Sequence, residues 1–86
     1  MRAIIRLSID QEKNSKLRNH VAALLRAAGF TKVGTGSWEH RSITMQQLKD
    51  VMAIFWHSAA DPQRNAGADP GVTMDHVWIY TDTPEV

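Results

Sequence analysis

Apolar side chains recur at every second position of the opening stretch, at Ala3, Ile5, Leu7 and Ile9, while Arg6, Ser8 and Asp10 share the opposite parity. From Leu17 the period changes. Leu17, Val21, Leu24, Leu25 and Ala28 fall on one helical stripe, leaving Lys16, Arg18, Asn19 and Arg26 to water. A strand with one apolar face and a helix with one apolar stripe are each unstable alone. Each must cover the other, so the chain is committed to a layered core.

The remaining segments repeat that logic. Asn14 or Ser15 suits the N-cap of the first helix, Gly29 supplies a left-handed stop, and Phe30 folds back onto the last turn. Residues 31–43, "TKVGTGSWEHRSI", alternate poorly around Gly34 and Gly36 and read as a bent strand returning as a short second one. Thr44 followed by Gln47 forms a capping box for a second helix, whose inner stripe is Met45, Leu48, Val51, Met52 and Phe55. Asp61-Pro62 closes that helix and opens a turn-rich stretch, read as a mobile loop over 61–74. A last strand is expected from Asp75 to Pro84. The order implies one α+β domain over 1–86 of the ferredoxin-like βαββαβ type, a two-layer sandwich with an antiparallel sheet and both helices on one face. Its uncovered sheet face makes homodimerisation the natural expectation.

Composition narrows the function classes. With 86 residues there is material for a single core, and 43% hydrophobic against 22% charged residues is ordinary globular usage. A net charge of +1, with no block of like charge, announces no polyanion partner. The absence of cysteine removes disulfides, thiolate zinc sites and cysteine nucleophiles. No signal-peptide pattern and no apolar run approaching a span of ~20 residues are visible, so a cytoplasmic protein without membrane contact is expected.

Several residues invite chemistry. Asp10, closing the first strand, is a candidate carboxylate that, paired with its copy across a two-fold dimer and a divalent cation, suits phosphodiester hydrolysis; the same residue also suits a strand-to-helix turn. His20, His40, His57 and His76 offer no zinc-type spacing, and His40 between Glu39 and Arg41 suits either acid–base work or a solvated turn. "GTGSW" around Ser37 has the glycines of a phosphate cradle without the following Lys-Ser or Lys-Thr, which favours a bulge. Trp38, Trp56, Trp78 and Tyr80 are candidates either for base stacking, with Arg2, Arg6 and Arg41 on phosphates, or for core and interface packing. No pattern marks a closed small-molecule pocket.

Over about the first two-thirds of the chain, the sequence resembles the CRISPR-associated protein 2 family and, more distantly, the virulence-associated protein D family. The similarity lies in "IIRLSID", a first strand ending in aspartate, in "KLRNHVAALLRAAGF", in "GTGSWEH" and in "LKDV". What the resemblance implies is a ferredoxin-like homodimer, either a magnesium-dependent endonuclease on RNA or DNA or a non-catalytic dimeric adaptor. A toxin-type ribonuclease is implied by the more distant family. The resemblance makes Asp10 the catalytic carboxylate and metal ligand, Ser37 a serine near the site and Trp38 its aromatic neighbour; the nucleic-acid contacts expected at Arg6 and Arg41 rest on the residue pattern above. The sequence departs from the pattern in Ile9, where an aromatic usually precedes the aspartate, and in Gln11 and Glu12 just after it. The rival expectation is a binding or assembly module with a protein or nucleic-acid partner and no chemistry.

Overall fold

The computed structural model describes residues 1–10, 16–67 and 72–82; of Asp10, Thr73 and Asp75 it describes the backbone alone. The expected cap at Asn14 or Ser15, the residues Gln11 and Glu12, and the end of the last strand at Pro84 lie outside the described residues. Along the chain come β1 (Arg2–Asp10), α1 (Lys16–Ala27), β2 (Thr31–Gly34), β3 (Ser37–His40), α2 (Met45–Ala60), α3 (Pro62–Ala66) and β4 (Thr73–Asp82). The protein is α+β, with one four-stranded sheet in the order β2-β3-β1-β4 and every neighbouring pair antiparallel.

The period-two stretch becomes the central strand β1. Ala3 and Ile5 are fully buried, and Leu7 and Ile9 pack partly buried against the same cluster. Into that cluster α1 sends Leu17, Val21 and Leu25, and α2 sends Leu48, Val51 and Phe55. Helices and sheet thus share one core, as the two periodicities require. The even positions of β1 face away from it: Arg6 and Ser8 are exposed and Ile4 is half-buried.

Local signals set the boundaries. At the end of α1, Phe30 N–H donates to Leu25 O at 2.9 Å and Gly29 N–H to Arg26 O at 3.0 Å. Gly29 has φ 94°, completing the double hydrogen bond of a Schellman cap, and Phe30 is buried. Before α2, Gln47 N–H donates to Thr44 Oγ1 at 3.1 Å and Thr44 N–H to Gln47 Oε1 at 3.0 Å. Between the helices, Ser58 is 2% exposed; its hydroxyl donates to Ile54 O at 3.3 Å and meets His20 Nε2 at 2.9 Å.

Three features differ from expectation. Met45, expected on the inner stripe of the second helix, is 68% exposed at the start of α2. Part of the stretch read as a loop is helical: Asp61 caps α3 by accepting from Arg64 N–H at 3.1 Å, Pro62 opens it and left-handed Gly67 ends it. Asp, Pro and Gly set turns, but in this spacing they also start and stop a helix. The last strand begins at Thr73, ahead of Asp75, because β1 is long enough to pair with it from Arg2↔Asp82 to Asp10↔Thr73. A bulge shifts this ladder between Ser8 and Ile9, so Ser8 faces His76 and Ile9 faces Met74. Among the described residues no helix is long and apolar enough to cross a membrane.

Candidate nucleic-acid interface

The ladders turn the uncovered sheet face into rows of side chains. Tyr80, Ile4 and Glu39 are Cα partners across three strands, and so are Trp78, Arg6 and Ser37. Arg2 stands opposite Asp82 at one end of β1, and Ser8 opposite His76 towards the other. Successive residues of a strand point to opposite sides, so the even positions of β1 and β4 come together. On β4 this produces a line of three rings at His76, Trp78 and Tyr80.

These rings are open to solvent. Trp78 is 56% exposed and Tyr80 69% exposed, and with Arg2, Ile4 and Arg6 they line a shallow depression on this face. The Arg6 guanidinium lies 5.9 Å from the centroid of the Trp78 ring, within cation–π range, and the His76 ring is 5.4 Å from the Trp78 ring at 33°. At the rim Arg2 meets Asp82 at 3.5 Å and Glu39 at 3.9 Å, and Arg41 meets Glu39 at 3.3 Å. Each pair has at least one solvent-exposed member and contributes little stability, roughly 0–1 kcal/mol. Among the described residues Arg6 has no carboxylate partner.

The residues singled out in the sequence are only partly brought together. Arg6 and Ser37 face one another across β1 and β3, and Arg41, its side chain 89% exposed, reaches the rim through Glu39. Trp38 corrects the expectation. It is 4% exposed, on the parity of β3 that pairs with Ile5 and enters the core, and Arg26 lies 5.1 Å from its ring centroid. A ring packed in this way offers no face to a base. Asp10 ends β1 as expected, paired with Thr73, but its side chain lies outside the described structure. Since Ser37 is opposite Arg6, it is four residues of β1, roughly 13 Å of strand, from Asp10 within one chain. Among the described residues no three His, Asp or Glu side chains converge to hold a metal ion.

The sequence names Trp78 and Tyr80 among its stacking candidates without setting them apart from Trp38 and Trp56, yet a usable signal was there: they alternate with Val77, Ile79 and Thr81, matching the Arg2, Ile4, Arg6 alternation of β1. In comparison with known proteins, no family model, curated protein or solved structure matches the chain.

Proposed function

We propose that the chain is a nucleic-acid-binding module of ferredoxin-like architecture that works as a homodimer, holding its ligand on the uncovered sheet face without cutting it. The observation that carries this reading is the juxtaposition of Trp78 and Tyr80, both exposed, with Arg6 on the neighbouring strand. Stacking surface and cation side by side suit bases and phosphates together. The architecture is supported by the strand order: β1 and β2 are each antiparallel to β3, which lies between them, so they run parallel as in a split βαβ unit. The dimer is supported by β4, a ten-residue edge strand with neither proline nor lysine to deter pairing with a second copy.

A second reading, a magnesium-dependent endonuclease like the family the sequence resembles, is favoured by one observation: Asp10 is the last residue of β1, next to the Ser8/Ile9 bulge, a feature common beside active sites. Asp10 would be the metal ligand there, and the ion would supply the charge that activates water. Labelled RNA, single-stranded DNA and duplex DNA incubated with the protein, with and without magnesium, decide between the two. Retarded but intact strands are expected, together with a mass in solution of twice the monomer. Magnesium-dependent cleavage lost in Asp10→Ala would overturn the non-catalytic reading.

A further inference from the structure

Resting on the nucleic-acid reading just given, we infer that the uncovered face is selective for single strands, seating neighbouring bases on Trp78 and Tyr80 with the Arg6 guanidinium against the same strand. The two rings are two residues apart on β4, which separates their Cα atoms by roughly 6.7 Å. Successive nucleotides of a duplex strand advance only about 3.4 Å. A duplex therefore presents the wrong repeat, and it also buries its base faces in its own stack. A single strand drawn out to this spacing gives each ring one base.

The surrounding charges fit the same ligand. Arg6 is held beside Trp78 at 5.9 Å and meets no carboxylate among the described residues, so it is available to a phosphate. Glu39, on the same face, is engaged by Arg2 and Arg41. With a net charge of +1 the molecule has little long-range pull on a polyanion, so stacking must supply most of the affinity. A second copy laid face to face is a poorer occupant. It would strip water from the Arg2, Glu39 and Asp82 ion pairs, and with the two-fold axis at the centre of the face it would set Arg6 against its own counterpart.

The test is fluorescence anisotropy with fluorescein-labelled oligouridine and oligothymidine of about twelve nucleotides, within the site size of such platforms, against a duplex of equal length. Trp78→Ala and Tyr80→Ala are each expected to weaken single-strand binding about tenfold, while Trp56→Ala, which removes a comparably exposed ring on α2, leaves it unchanged. The logarithmic salt slope should be shallow, no steeper than about −1.4, and should shrink in Arg6→Ala. Circular dichroism checks that each variant is folded. Duplex binding as tight as single-strand binding, or indifference to both ring substitutions, overturns the single-strand inference and leaves nucleic-acid binding standing. Failure to bind any of the three probes at low salt removes both. Loss of a dimer in Trp78→Ala and Tyr80→Ala, with no probe bound by the parent protein, assigns the face to a second copy instead.

Discussion

Two glycines with positive φ pose different problems for a methyl group. At Gly36, φ 67°, an added Cβ meets the backbone oxygen of Leu7, and the same turn returns a hydrogen bond from Leu7 N–H to Gly36 O at 2.9 Å. At Gly29, φ 94°, the nearest atom is His40 Nε2 at 2.8 Å, on a side chain that can give way at the expense of the bond its Nδ1 accepts from Ser42 N–H at 3.1 Å. Backbone cannot withdraw as a side chain can. Gly36→Ala is therefore expected to cost about 3 kcal/mol and Gly29→Ala about 1–2 kcal/mol, including the left-handed strain both share. Thermal melting checks the ranking, with roughly 4–8 °C per kcal/mol in a domain of this size, and equal losses would refute it. Both glycines were visible in the sequence as conformational exceptions. The side on which Trp38 falls was not, because it depends on the β1–β3 register, Ile5↔Trp38, which no local pattern encodes.

Elements were legible in proportion to how local their causes are. The Thr44–Gln47 box uses residues three apart, so it could be read from spacing and is present on both sides. Thr44→Ala should lower stability by about 1 kcal/mol in urea unfolding, with an unchanged m-value. A shift well below that would mean that packing of Phe55 and Leu48 alone sets the start of α2. The helix α3 illustrates the opposite case. Asp61, Pro62 and Gly67 belong equally to turns and to helix ends, and the five residues between the caps are too few to show a period. The bulge in the β1–β4 ladder was likewise illegible, since it exists only in the pairing of two distant segments.

At the scale of the whole molecule, the order of elements and the sharing of one core follow from the sequence pattern, because two amphipathic helices and an alternating strand have few ways to bury their apolar sides together. The composition of the uncovered face did not follow. Arg6 and Trp78 are 72 residues apart in the chain and become neighbours only when β4 docks against β1, whereas the aromatic chosen from the sequence, Trp38, is turned into the core. Asp10 and Ser37, which the family resemblance groups together, are set apart by the same ladders.

Nine residues of β1 are flanked by only four of β3, whose Cα partners run from Ala3 to Arg6. Beyond Leu7 the described strand is held laterally by β4 alone, across an irregular ladder. That tail has one lateral strand neighbour where the first half of β1 has two, and it depends more on the packing of Ile9 against the core. Amide protons of Ile9 and Asp10 are expected to exchange with deuterium well before those of Ile4 and Ile5; uniform protection along the strand would contradict this. Any reaction assigned to the aspartate would then proceed at the less braced end of a strand whose other half is locked, so that a clamp from beyond the described residues becomes a condition of chemistry there.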